Sequence, residues 1–333
     1  MPVDFTNERR FEEDIESFLL TEKGGYTKTT DTYDPSVGLY VDTLINFIKA
    51  TQPKEWTRFE NTCNSDPVRK FCIAFNNACD TYGLIAVLRH GFKHRGITFR
   101  VCYFKPESHL NKTATALYEQ NVCNVVRQWH YSADNNKSVD MVLVFNGIPV
   151  FALELKNQYT GQTVDNAKTQ WMYDRDPREL PFQFNKRILA YFCVDHTDVF
   201  MTTKLAKGDT YFLPFNQGSN GAGNNGGAGN PPNPNGYPTS YLWEEVLEKD
   251  SLLNILQKFV LEYSLLVLSY LYFNAHGVLA EGFVFEFSLD ARVISRSVFR
   301  YYHGDVSYRF VFHLGCIEAD FLPFQLCLVC RRV

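Results

Sequence analysis

The chain has 333 residues, 45% hydrophobic and 21% charged, with nine cysteines and a formal net charge of −4. That length leaves ample apolar material for one large domain or two smaller ones, and the composition is that of an ordinary soluble protein. The charge excludes a global pull toward nucleic acid, so any DNA contact must come from local basic patches. An odd number of scattered cysteines fits reduced cytosolic thiols better than a disulfide framework, and Cys327-Leu328-Val329-Cys330 is a lone CxxC, weak as a metal or redox motif.

The start, Met1-Pro2-Val3-Asp4, lacks a signal-peptide apolar core. Phe11, Ile15, Phe18 and Leu19 then fall on one helical face among Glu12, Glu13, Asp14 and Glu16, and Gly24-Gly25 stops that helix. Further helices are predicted over Leu39 to Thr51 and Pro67 to Tyr82. Leu84 to Leu88 and Ile97 to Phe104 read as strands around a basic loop of Arg89, His90, Lys93, His94 and Arg95. The loop could touch phosphates, although charged loops are usually just solvated. Asn121 to Val126 reads as another strand.

Asp140 then opens an apolar run, Val142 to Phe145, and Asn146-Gly147 turns the chain back through Ile148 to Leu155. The second run ends in Glu154-Leu155-Lys156, giving the spacing D-x13-E-x-K. Burying carboxylates is costly unless a cation or hydrogen bonds satisfy them. Two acids converging beside a lysine suit a Mg²⁺ site that hydrolyses phosphodiesters. Register decides whether they meet. A two-residue turn would pair Asp140 with Leu153 and put Glu154 on the opposite face. A three-residue loop, Phe145-Asn146-Gly147, with a G1 bulge at Gly147, puts Asp140 opposite Ala152 and diagonal to Glu154, on the face that Lys156 shares. The competing reading is an edge hairpin with solvated ends, which explains Glu154 poorly because Val150 to Leu153 reads as buried on both faces.

Val164 to Tyr173 follows as a helix, and Ile188 to Val194 as a final sheet strand, parallel to its neighbour through that crossover. Gly218 to Asn235 is rich in Gly, Asn and Pro, without an apolar anchor, and reads as a flexible surface loop. Leu252, Leu253, Ile255, Leu256 and Phe259 form an amphipathic helix. Tyr263 to Phe273 is apolar for eleven residues, shorter than a membrane span needs, and reads as a core helix. Residues 251–333 hold one lysine, Lys258, against fifteen before them, and sixteen Phe or Tyr. This stretch is either a different subdomain or a sequence foreign to its upstream neighbour, as a frameshift would produce.

Ser138 to Val150 through Glu154-Leu155-Lys156-Asn157 resembles the nuclease domain of the R subunit of type I restriction-modification enzymes. Asn121 to Gln128, Leu213-Pro214-Phe215-Asn216, Gly227-Ala228-Gly229-Asn230-Pro231 and Tyr241-Leu242-Trp243 add to the resemblance, which covers about residues 1 to 260. It implies a PD-(D/E)xK fold: an α/β protein with a mixed central sheet flanked by helices, and residues 261 to 333 lie beyond it as an atypical extension. By the same resemblance Asp140 and Glu154 would hold Mg²⁺, with Leu155 and the first-helix acid Glu12 completing the metal set. Lys156 would orient or deprotonate the attacking water. Gln170 and Tyr173, three apart where the family often has four, would join the catalytic set on one helix face. Double-stranded DNA and the modification and specificity subunits would be the partners, in the cytoplasm. The family's ATP-driven motor has no counterpart, since no Walker A motif occurs and ATP is not expected to bind. The expected activity is thus a Mg²⁺-dependent endodeoxyribonuclease module lacking its translocase. The alternative is a catalytically idle module that docks on the other subunits.

Overall fold

A computed structural model describes residues 8–107, 110–218 and 228–259, together with four strands between 285 and 332. The chain forms two units, residues 1–276 and 277–333. In the second, β12 (Phe285–Ser288), β13 (Arg296–His303), β14 (Val306–His313) and β15 (Val329–Arg332) pair in that order as an antiparallel sheet. Tyr263 to Phe273 lies outside the described residues.

The first unit begins with α1 (Glu8–Leu19), whose Phe11, Ile15 and Leu19 are buried as the apolar spacing requires. Three two-residue strands follow, β1 (Thr27–Lys28), β2 (Tyr33–Asp34) and β3 (Leu39–Tyr40). Four helices come next: α2 (Val41–Thr51), α3 (Pro53–Thr62), α4 (Pro67–Tyr82) and α5 (Leu84–His90). Leu84 to Leu88 is therefore helical and not the expected strand. Its apolar run is too short to reveal a period, and Asn185 decides the outcome by taking the first two amides: Leu84 N–H donates to its carbonyl at 2.6 Å and Ile85 N–H to its Oδ1 at 3.2 Å. Ile97 to Phe104 shortens to β5 (Ile97–Phe99), which pairs only with β4 (Phe92–His94). After α6 (Lys112–Glu119) come β6 (Cys123–His130), β7 (Ser138–Phe145) and β8 (Ile148–Leu155).

The central sheet adds β9 (Ala190–Val194), β10 (Val199–Thr202) and β11 (Leu213–Pro214), in the order β1-β6-β7-β8-β9-β10-β11. The Ile188 to Val194 strand is thus not the last. It runs parallel to β8, across α7 (Val164–Thr169). This is a mixed sheet with helices on its faces. The larger core gathers α1, α2, α4 and α5 on one side. A smaller one on the other packs Val142, Val144 and Ala152 against Ala167, Trp171 and Tyr191. The chain from Tyr237 to α8 (Lys249–Asn254) closes over α1, where Tyr237 and Trp243 ring Phe11 at 4.8 and 5.8 Å. The ends of the Gly/Asn segment are tied down: Asn230 Nδ2 donates to Thr197 O at 2.7 Å, and its Oδ1 accepts Gln217 N–H at 2.7 Å. No single described helix is long and apolar enough to cross a membrane.

The β7–β8 hairpin corrects the expected turn. Phe145 faces Ile148 and Val144 faces Pro149, so the loop is the two residues Asn146 and Gly147. Their φ values of 47° and 80° define a type I′ turn, the form whose twist suits two-residue hairpins. Buried Asn146 fastens it, accepting Val122 N–H at 2.7 Å and donating to Val101 O at 2.9 Å. The register then shifts, so that Leu143 faces Phe151 and Met141 faces Leu153. Val150 is the extra residue. The bulge sits beside Pro149, which lacks the N–H that an interior strand position needs. Parity is restored by this bulge and not at Gly147. Asp140 comes level with Glu154, one pair beyond Met141 and Leu153, and not with Ala152.

Candidate active site

Five chain segments meet where β7 begins and β8 ends. Asp140 Oδ2 accepts the Leu155 N–H at 2.8 Å and lies 3.7 Å from Lys156 Nζ. The Asp140 side chain is 15% exposed and that of Lys156 only 5%, so the opening to solvent is on the aspartate's side. Glu154 is fully buried. Its Oε1 accepts Arg175 Nη2 at 2.5 Å, whereas its Oε2 is enclosed with no hydrogen-bond donor. Burial first, and then the neighbouring Asp140, push the Glu154 carboxyl well above the usual carboxylate range against the pull of Arg175.

Arg175 is the residue that sequence reasoning missed. It follows the helix after β8, and its Nη2 also donates to Ser138 O at 2.6 Å, tying the start of β7 to Glu154. Its guanidinium carbon lies 5.5 Å from the Tyr131 ring centroid and 5.8 Å from that of Trp171. Nothing local in the sequence marks a partner 21 residues away in the chain.

Glu12 reaches the site's edge from α1. Arg127 Nε and Gln128 Nε2 donate to its two oxygens at 3.0 and 2.9 Å. Burial raises its pKa, the Arg127 hydrogen bond opposes this, and the Asp140 charge raises it further, which places the two acids within each other's field. Gln128 lies in β6 level with Asp140, between the pairs Arg127–Met141 and Trp129–Val139. Its φ of 48° is left-handed inside a strand, a strained conformation of the kind that collects at functional sites. Its Oε1 accepts Ser138 Oγ at 3.0 Å.

Gln170 and Tyr173 do not share a face. Gln170–Asp174 is a π-turn, wider than an α-turn, so a spacing of three falls well short of one revolution. Gln170 Oε1 is buried without a partner. Tyr173 is 69% exposed and lies over Gly208, while Trp171 between them is buried and donates to Phe192 O at 3.1 Å. The basic loop is partly committed to structure, with Arg89 Nε on Leu256 O at 2.8 Å and Arg95 Nη1 on Thr62 O at 2.7 Å.

Among the described residues no three His, Cys, Asp or Glu side chains converge as a preformed metal cage. The donor set nevertheless fits a hard cation that keeps several waters. Mg²⁺ is commonly bound by one or two carboxylates, and Glu154 Oε2 is an orphaned buried acceptor beside Asp140. Glu12 is already held by its two donors, and Leu155 has only its main-chain carbonyl to offer.

A helix-flanked mixed sheet carrying an Asp, Glu and Lys on adjacent central strands is the arrangement of the restriction-endonuclease-like α/β class. Residues 100–210 match the family described as the type I restriction enzyme R protein N terminus. The matched segment, about a third of the chain, holds Asp140, Glu154, Lys156 and Arg175. No curated protein matches the chain.

Proposed function

We propose that this chain is the nuclease module of a type I restriction enzyme, hydrolysing phosphodiester bonds of double-stranded DNA with Mg²⁺. The observation that carries this reading is the buried, donorless Glu154 Oε2 beside Asp140, with Lys156 Nζ 3.7 Å from Asp140 Oδ2. Holding both acids charged in a core is costly; without a cation Glu154 is pushed toward its protonated form, and a cation between the acids would relieve that cost.

Asp140 and Glu154 would hold the ion, which when bound would polarise the phosphodiester and make a coordinated water more acidic. Each protein group has a separate task. The Leu155 N–H fixes Asp140 Oδ2, so that carboxylate keeps its orientation without the ion. Lys156 places a positive charge 3.7 Å from Asp140 Oδ2, where it can orient the attacking water and offset charge developing on the phosphate. Glu12 adds negative potential from α1. The modification and specificity subunits would supply sequence recognition, and ATP would play no part in this chain's own chemistry.

Nicking of supercoiled plasmid by the purified chain tests the reading. Cleavage is expected with Mg²⁺, none with chelator, and none for Asp140→Ala or Glu154→Ala. Cleavage that survives both substitutions would refute it. A folded protein that never nicks, yet binds the other two subunits, would identify a docking module instead.

A further inference from the structure

The Arg175 guanidinium is buried to 4% side-chain exposure, and it contacts the one acid of the site that has no access to solvent. A cation at such a position can do one of two things. It can compete with a metal for the glutamate, or it can hold the glutamate in the orientation the metal needs. The geometry separates these. Arg175 takes Glu154 Oε1 alone, Oε2 is left without a donor, and Asp140 lies near enough to raise the pKa of the same carboxyl. The same Nη2 is fastened to Ser138 O, two residues before Asp140, so its position is set by the strand that carries the other acid. Tyr131 and Trp171 flank the guanidinium plane and limit its movement.

We infer that Arg175 is a positioning residue for the metal site: it pins one oxygen of Glu154 and so presents the other, beside Asp140, to the cation. This rests on the metal-site reading above. The role belongs to the groups around a metal centre that orient its ligands, whose loss typically lowers metal affinity about 10- to 100-fold. Arginine suits it better than lysine, because the two N–H groups of its planar Nη2 point in fixed directions at Glu154 and Ser138, whereas an ammonium turns freely.

The test is Mn²⁺ binding by the full chain without DNA, read from the electron paramagnetic resonance signal of the free ion. Wild type, Glu154→Ala, Arg175→Gln and Arg175→Lys are compared after each is checked for cooperative thermal unfolding. Wild type should bind and Glu154→Ala should not. Arg175→Gln, neutral but still a donor, should bind about 10- to 100-fold more weakly. Arg175→Lys should fall between it and wild type, the partial rescue that a merely structural side chain would not give. Should Arg175→Gln fail to fold, Arg175→Lys decides alone: several-fold weaker binding supports the inference, and unchanged binding overturns it. Wild-type affinity in folded Arg175→Gln, with binding lost in Glu154→Ala, overturns the role of Arg175 and leaves the metal site standing. Tighter binding in Arg175→Gln also overturns it, making the arginine a competitor. No binding by wild type refutes the metal site itself, and the inference with it.

Discussion

Gly147 and Gly161 offer a matched pair of substitutions. Both have left-handed φ, 80° and 78°, so alanine at either should cost about 1–2 kcal/mol for the conformation alone. Their surroundings differ. A Cβ at Gly147 would meet the Tyr40 carbonyl oxygen at 2.4 Å and the Leu44 amide nitrogen at 2.8 Å, whereas nothing lies within 4 Å of one at Gly161. Backbone atoms cannot swing aside, and Tyr40 N–H is itself bonded to Gly147 O at 2.9 Å. Overpacking of this kind adds about 1–3 kcal/mol. Gly147→Ala should therefore be destabilised by about 2–5 kcal/mol and Gly161→Ala by about 1–2 kcal/mol. At about 2–4 °C per kcal/mol for a domain of this size, the first should melt some 2–12 °C below the second. Differential scanning calorimetry of the two variants and the parent provides the comparison. Equal melting temperatures would refute the claim that the hairpin turn is wedged against the start of α2.

Lys156→Ala should abolish plasmid nicking while Mn²⁺ binding persists, because lysine is not a ligand; loss of both together would reassign it. Chelator should remove all nicking and added Mg²⁺ restore it, a cycle followed on agarose gels. Arg127→Met leaves Glu12 buried beside Asp140, and urea unfolding should show a loss on the order of 2 kcal/mol, below the range for fully buried pairs because Arg127 is partly exposed. The purified chain should release no phosphate from ATP, with or without DNA, in a coupled phosphate assay.

The acid pair was legible because Glu154 sits in an apolar run with no bland reason to be there, and because Asn-Gly announces a hairpin. The position of the bulge was also written, in Pro149, yet the parity argument placed it at the glycine. Other parts lie beyond local patterns. Leu84 to Leu88 is helical because distant Asn185 caps it. The π-turn at Gln170 separates two residues that a regular helix would align. Arg175 owes its role to Glu154, Ser138 and two rings, none of which its neighbours in sequence foretell.

The closure over α1 has a consequence for synthesis. Phe11 is enclosed by Tyr237 and Trp243, Tyr237 Oη donates to Asp14 at 2.8 Å, and Tyr26 Oη donates to Leu247 O at 2.7 Å. The first helix, which delivers Glu12, thus waits for some of the last residues of the fold to be made. At about 5–20 residues per second, translation needs roughly 5–20 s to travel from Lys156 to Leu247. During that interval the nascent chain has its acid pair but not the cover that fixes the neighbouring helix. A fragment cut at residue 210, where the family match ends, would keep the acid pair but lack Tyr237, Trp243 and Leu247, which cover α1.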